Sequence, residues 1–301
     1  MKLDQKKVSI IVNCYNGAKY LKECLDSIQK QSYKNYELIF WDNKSQDNSK
    51  EIFLNYKNDT RFKYFYADLH TTLYEARNLA IEKTSGEYLA FLDTDDWWVE
   101  DYLLNRVKIF DQRGEYIFSF SNCYHYFQRK KNKKIFTKII MPSGNIFDFI
   151  SKNYLVKMSC LMIKKKVFIN EKKFNKKFNI IGDFELVMRL AAKYKGFSIN
   201  KPQTYIRFHS QNFLSNNRDM FYDEYKSWYE SVKNFDPYIN YTNYFKNYLL
   251  YLKISKNILK NKTGELFFDI LKYPLSLNKF KLFFLFLLPK NIVSYLNEKY
   301  Y

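Results

Sequence analysis

Apolar runs and helically spaced apolar positions alternate along the first third of the chain. Residues 8–12 (Val-Ser-Ile-Ile-Val) form a run rich in β-branched side chains, the pattern of a strand buried on both faces. Tyr20, Leu21, Leu25 and Ile28 then recur at helical spacing up to Lys30. The same pair of patterns returns at 36–41 and 49–56, and again at 62–66 and 73–83. A fourth strand is predicted over 88–92 and a helix over 99–110. Strands and helices alternating at such short intervals predict an α/β fold: a Rossmann-like, mainly parallel sheet with helices on both faces, binding ligands at the carboxyl ends of its strands. Past residue 110 the pattern loosens. Strands are predicted over 116–121, 124–128 and 136–140, the last two flanking a basic hairpin tip at 129–134, and another over 158–163. Leu186, Leu190 and Tyr194 share a helical face, and from 216 onward aromatic, Lys-rich helical patterns such as Tyr244, Phe245, Tyr248, Leu249 and Leu252 take over. The expected organisation is one α/β domain over 1–215, with halves at about 1–112 and 113–215, and a helical basic region over 216–301.

The fourth predicted strand runs straight into Asp93-Thr94-Asp95-Asp96. Asp93 and Asp95, one residue apart in a turn, can turn their oxygens toward one hard divalent cation, and Mg²⁺ or Mn²⁺ takes oxygen ligands shared with a diphosphate. Asp96 is expected to cap the helix that follows, and Asp47 to cap the helix after the second strand. Trp97 and Trp98 are expected in the core rather than stacked on a sugar. Two further loops lie on the same rim. Residues 13–17 (Asn-Cys-Tyr-Asn-Gly) have turn chemistry. Residues 42–49 begin with Asp42 at a strand end, where a carboxylate can accept from a nucleobase ring N–H. Arg77 offers a planar guanidinium suited to a phosphate or base edge, and Asp183 sits at a helix start, where a carboxylate is also favoured by the helix dipole.

Composition narrows the picture modestly. At 301 residues the chain can bury a substantial core. Fifty Lys and Arg against 31 Asp and Glu give a net charge of +19, attractive to nucleic acid, acidic lipid or phosphorylated substrates alike. Four Cys without Cys-x-x-Cys spacing and only three His argue against a zinc site or a disulfide framework and suit reduced thiols in the cytoplasm. The polar start leads into too few apolar residues for a secretory signal. No apolar run approaches the roughly 18 residues of a spanning helix.

Taken in order, these motifs resemble those of family 2 glycosyltransferases of the GT-A fold. The resemblance covers roughly residues 8–215. It rests on Val8-Ser9-Ile10-Ile11-Val12 with Tyr15-Asn16 and Tyr20-Leu21; on Ser27-Ile28 with Gln31 and Tyr33, then Glu37-Leu38-Ile39; on Asp42 with Ser45 and Asp47; on Ala76-Arg77-Asn78; on Gly86-Glu87-Tyr88; and on Phe91-Leu92-Asp93-Thr94-Asp95-Asp96. It implies an inverting, nucleotide-sugar-dependent, usually metal-dependent enzyme, with the nucleotide held by the first half of the domain and the acceptor by the second. By position it places Tyr15, Asp42, Arg77 and Asp93 at the nucleotide sugar. It places Asp95, Asp93 and His209 at Mn²⁺ or Mg²⁺, and Asp183 as the catalytic carboxylate. Asn13 stands for a usual Pro, Asn43 for a usual Asp, Lys44 and Ala80 for usual Gly, and Gly182 for a usual Glu, so the loop after Asp42 is nonstandard.

The implied chemistry is coherent. An acceptor hydroxyl is a poor nucleophile, so Asp183 would remove its proton during attack, while a cation would stabilise the leaving nucleoside diphosphate. The expected donor is a UDP-sugar, and the expected acceptor a glycan or lipid-linked saccharide of the bacterial cell surface, without nucleic acid. Two other classes remain open: a basic nucleic-acid-binding protein, which leaves the acidic rim unexplained, and a nucleotidyltransferase, which also uses carboxylates and a metal. In the tail, residues 279–290 set a compact apolar block between lysines. Such a block suits either a last core helix or shallow docking on the anionic inner leaflet, which would make the protein peripheral to the cytoplasmic membrane.

Overall fold

A computed structural model describes residues 6–210, 212, 217–260, 264–289 and 291–293. The polar start, the expected boundary at 215 and the end of the tail fall partly or wholly outside the described residues. The chain divides into two compact units, one of residues 1–127 and 131–207, the other of 128–130 and 208–301.

The first unit is built on a mixed sheet of nine strands in the order β3-β2-β1-β4-β8-β6-β9-β5, with β7 paired to β6. Strands β1 (Val8–Cys14), β2 (Tyr36–Asp42), β3 (Phe62–Tyr66) and β4 (Tyr88–Phe91) are mutually parallel. The connecting helices are α1 (Ala18–Gln29), α2 (Ser49–Leu54) and α3 (Leu73–Glu82), which supply the crossovers that parallel pairing requires. Beyond β4 the sheet turns antiparallel. Here β8 (Leu161–Lys164) pairs with both β4 and β6 (Tyr116–Phe127), and the two-residue β5 (Trp97–Trp98) pairs with β9 (Lys195–Phe208). The parallel expectation therefore describes the first four strands, and the rest is closed by hairpin and long-range antiparallel pairing.

Side chains alternate across the sheet. Val8, Ile10, Val12, Leu38, Phe40, Ala90 and Leu92 pack on Leu21, Leu25 and Ile28 of α1 and on Tyr102, Leu103, Val107 and Phe110 of α4 (Tyr102–Gln112). The odd-numbered Phe91 points the other way, to Phe168 and Phe174, with ring centroids at 6.5 and 5.5 Å. Burial on both faces is why these strands read as unbroken apolar runs.

Three expected boundaries shift. The helix expected at 99 begins at Tyr102, because Trp97 and Trp98 are drawn into pairing with Tyr205 and Thr204. The separate strands expected at 116–121 and 124–128 are one strand, β6, and its hairpin partner β7 (Asn132–Ile135) lies inside the basic run rather than after it. Every β7 residue is exposed, so neither face carried the apolar signal that marks a strand. The remaining helices of this unit are α5 (Phe147–Lys152), α6 (Lys165–Asn170) and α7 (Gly182–Ala191). The second unit is helical, with α8 (Arg218–Val232), α9 (Thr242–Lys260), α10 (Gly264–Lys272) and α11 (Leu277–Leu287).

Candidate active site

Helix α3 is the organising element. Its first turn is anchored by Leu73 N donating to Asn179 Oδ1 at 2.7 Å, and Asn78 exchanges two hydrogen bonds with the backbone of Phe174. This ties α3 to the segment that leads into α7. Tyr74 and Arg77, three residues apart, lie on one helical face. Arg77 is buried and its Nη2 donates to Asp93 Oδ1 at 2.5 Å; Tyr74 donates its hydroxyl to Asp183 Oδ1 at 3.1 Å. One helix face thus gathers Asp93 from the end of β4 and Asp183 from the first turn of α7.

Burial raises Asp183 above the ordinary carboxylate range, against the pull of the Phe184 N–H, Arg77 and Tyr74. Asp93, whose side chain is 43% exposed, is likewise held up by desolvation and by the charge of Asp95, with Arg77 opposing. The Tyr154 hydroxyl is buried without a hydrogen-bond partner, and its ring meets Phe184 edge-on at 4.9 Å.

The acidic turn is held from behind by two residues that the sequence reading did not single out. Ser159 Oγ donates to Asp96 Oδ2 at 2.6 Å and accepts from Asp93 N at 3.2 Å. Arg207 donates its backbone N–H to Asp96 Oδ1 at 2.9 Å and its Nε to the Asp95 carbonyl at 2.8 Å. The expectation that Asp96 caps the next helix is therefore corrected. It is buried, held between Ser159 and Arg207, and pushed well up by desolvation and by the charges of Asp95 and Asp93, while Asp101 occupies the N-cap position of α4. Trp98 is a core residue stacked on Tyr102 at 3.9 Å, and Trp97 stacks on Tyr205 at 4.7 Å.

The other two loops close on each other. Asp47 accepts from Ala18 N at 2.9 Å and from Ser49 N at 3.1 Å, so it serves the starts of both α1 and α2. Asp42, buried at the end of β2, accepts from Ser45 N and from the Tyr64 hydroxyl, each at 2.7 Å. Asn43 staples the loop before α3 by donating to the Thr71 carbonyl at 2.9 Å, and Lys44 takes a left-handed φ of 72° where glycine is the usual choice. The exposed Tyr15 packs against His70 with ring centroids 4.2 Å apart, a pairing that nothing in the sequence signalled. Asn13 and Trp41 are cross-strand partners, and the Asn13 amide and Trp41 Nε1 are buried without hydrogen-bond partners. As odd-numbered neighbours of Phe91 in the pleat they lie on the α3 face, so unsatisfied polar groups line the strand ends there.

For a divalent cation, the carboxylates of Asp95 and of Asp93 are hard oxygen donors of the right type. Asp93, Asp95 and Asp96 crowd like charges at one turn, and the charge of Asp95 adds to the rise at both neighbours. Among the described residues no three or more His, Cys, Asp or Glu converge as a cage, so a cation here would take few protein ligands and fill its shell from phosphates and water. His209 belongs to the second unit, where its N–H donates to Asn212 Oδ1 at 2.6 Å.

Known proteins share this fold. The structure of TarS 1-349 from S. aureus in complex with UDP-GlcNAc superimposes with a TM-score of 0.66 at 18% identity, covering 93% of this chain and 79% of that one. The mannosyltransferase PcManGT from Pyrobaculum calidifontis, in complex with GDP-Man and Mn²⁺, gives 0.64 at 13% identity, covering 97% and 87%. The GT-A fold is thereby borne out. In sequence, the Escherichia coli UDP-Glc:alpha-D-GlcNAc-diphosphoundecaprenol beta-1,3-glucosyltransferase WfgD is 29% identical over 151 residues, 50% of this chain and 57% of that protein. The chain spans less than half the length of several curated relatives that it matches. The pattern of glycosyl transferase family 2 matches residues 9–189, more than half of the sequence, and the chain belongs to that family.

Proposed function

We propose that this chain is an inverting glycosyltransferase that moves a sugar from a nucleoside-diphosphate sugar, best a UDP-sugar, to a hydroxyl of a cell-surface glycan or lipid-linked saccharide at the cytoplasmic face of the membrane. The observation that carries this reading is the single face of α3 on which Arg77 pairs with Asp93 while Tyr74 holds Asp183. On this reading Arg77 sets Asp93 toward the nucleotide, and Asp183, raised by burial, serves as the base. Family membership and neighbours named for UDP-GlcNAc and for UDP-Glc support the donor class. The acceptor in the name of WfgD, a diphosphoundecaprenol-linked sugar, supports the lipid-linked class.

In this mechanism Asp183 accepts the proton of the acceptor hydroxyl as the oxygen attacks the anomeric carbon. The Tyr74 hydroxyl and the Phe184 N–H orient the Asp183 carboxylate. Attack opposite the diphosphate inverts the anomeric carbon in one displacement, so no nucleophilic side chain is needed. Arg77 fixes Asp93, and Asp42 with Tyr15 receives the nucleoside. Asp95 and the second oxygen of Asp93 would hold Mn²⁺ or Mg²⁺, which when bound neutralises charge developing on the leaving diphosphate. A thermal-shift screen of UDP-, GDP- and dTDP-sugars with and without Mn²⁺ tests the reading, since a bound ligand raises apparent stability by mass action. Stabilisation by a UDP-sugar that grows with Mn²⁺, followed by release of free UDP on turnover, is expected. Release of pyrophosphate, or no response to any nucleotide sugar, overturns it.

A further inference from the structure

Helix α11 (Leu277–Leu287) of the second unit presents two apolar faces, and among the described residues only one of them is covered. Leu282, 1% exposed, packs into the core that Leu266 and Ile270 of α10 form with Ile254 and Ile258 of α9, and Leu285 and Phe286 lie against the same core. On the far side Leu277 is 88% exposed, Phe280 63%, Phe284 59% and Leu287 64%. At the helical advance of about 100° per residue these four and Phe283 fall within an arc of about 120°. The two lysines of the helix sit on the seams of that arc, Lys281 on one side and Lys279 on the other. The apolar surface continues onto α10, whose Phe268 is exposed and whose Phe267 ring meets Phe283 at 6.3 Å.

We infer that this face is a docking surface for an anionic lipid bilayer. Contiguous exposed apolar side chains are costly in water and mark an interaction site. Charge selects the occupant: between residues 240 and 301 ten Lys stand against three acidic residues. An apolar arc bordered by lysines matches an interface where acyl chains lie beneath anionic head groups: the Lys281 stem can cover one seam while its ammonium reaches the phosphates, and on the other seam Lys279 Nζ donates to the Leu271 carbonyl at 2.6 Å, adding its charge from the edge. The eleven residues of α11 span about 16 Å, roughly half the hydrocarbon thickness. No described helix is long and apolar enough to cross a membrane. The helix therefore lies in the interface plane. Docking there would hold the enzyme where lipid-linked acceptors are found, but the surface does not depend on the catalytic reading.

Sedimentation of the full chain with vesicles tests the inference without any substrate. Vesicles of equal parts phosphatidylcholine and phosphatidylglycerol should retain the protein, and vesicles of phosphatidylcholine alone should retain several-fold less. The combined variant Phe280→Ser, Phe284→Ser and Leu287→Ser should lower partition at least about tenfold with unchanged circular dichroism, since each replaced side chain is exposed. Should that variant fail to fold, Leu277→Ser, the most exposed of the set, should still weaken binding measurably. Lys281→Glu should weaken binding to the anionic vesicles only. A folded triple variant that sediments like wild type, or equal retention by neutral vesicles, overturns the inference. A wild type that ignores vesicles but forms a dimer broken by the triple variant also overturns it and gives the face to a second copy of the chain. Turnover of donor in the absence of vesicles should be the same in all these variants, so loss of vesicle binding and failure of the transferase reading are separately visible.

Discussion

At the residue scale, the two carboxylates at the start of α7 have distinct partners. Glu185 is engaged by Arg189 through both oxygens, at 2.7 and 2.8 Å, which accounts for it as an ion pair. Asp183 faces Tyr74 and is raised by burial. Asp183→Asn should therefore lower kcat by about 10² to 10⁴ while donor affinity holds, and Glu185→Gln should act on stability instead. Steady-state kinetics on both variants, with thermal melts, decides the assignment; an active Asp183→Asn beside a dead, folded Glu185→Gln reverses it. The pH profile follows from the sign of the shift. A base must be deprotonated to act, and a raised folded pKa puts the acid limb of the wild-type profile above the ordinary range for Asp, with activity falling as pH falls through it. Asp95→Ala should abolish metal-dependent nucleotide binding and leave the chain folded, because Arg207 grips the Asp95 carbonyl, which Ala keeps. Isothermal titration with UDP and Mn²⁺ measures this, and full activity in excess chelator counts against a cation at Asp95. The rim positions of Asp42 and Asp93 were legible because a carboxylate ends an apolar run, whereas Arg77 stood out through the motif resemblance. Ser159 and Arg207 were not, since their partners are 63 and more than 110 positions away.

At the element scale, the substitution at Gly182 is explained by its neighbour. A Cβ at this position would come within 2.5 Å of the Tyr74 ring, so α7 can approach α3 only with glycine here. The ring thus fills space next to the helix start where the family usually carries Glu, and the same tyrosine orients Asp183. Gly182→Ala should cost about 1 to 3 kcal/mol through overpacking. It should also reduce kcat more than KM, because displacing Tyr74 disturbs the base rather than the nucleotide. A denaturant titration and kinetics on this variant check both halves, and a neutral effect on each would show that Tyr74 can move without consequence. Gly17 has a related role: a Cβ there would come 2.9 Å from Thr94 Oγ1, so the first loop packs directly on the acidic turn.

For the whole molecule, Glu37 is the most deeply buried of the carboxylates, with Asp26, Asp59 and Glu171, that are held below their ordinary values and so tie stability to pH. Its buried carboxylate takes Lys63 Nζ at 2.7 Å, Ser9 Oγ at 2.7 Å and Ser85 N at 2.6 Å. These bonds outweigh desolvation and hold it far below the ordinary Glu value. A depressed folded pKa contributes stability that is complete above the unfolded value of about 4.5 and is lost as pH falls below it. Glu37→Gln should cost about 3 kcal/mol at neutral pH and flatten the loss of stability below pH about 4.5. Chemical denaturation at a series of pH values measures both, and an unchanged slope would remove Glu37 from the account. The first four strands, their crossover helices and the acidic rim were set by the sequence itself, because apolar periodicity and turn chemistry are local patterns. Only the tertiary structure decided that β5 and β7 are strands, that Asp96 is a buried strut rather than a cap, and that one apolar face of α11 is left uncovered by the described residues. Each of those depends on which distant segment arrives to pair, hydrogen-bond or shield, and an apolar side chain reads the same in sequence whether a neighbour covers it or not.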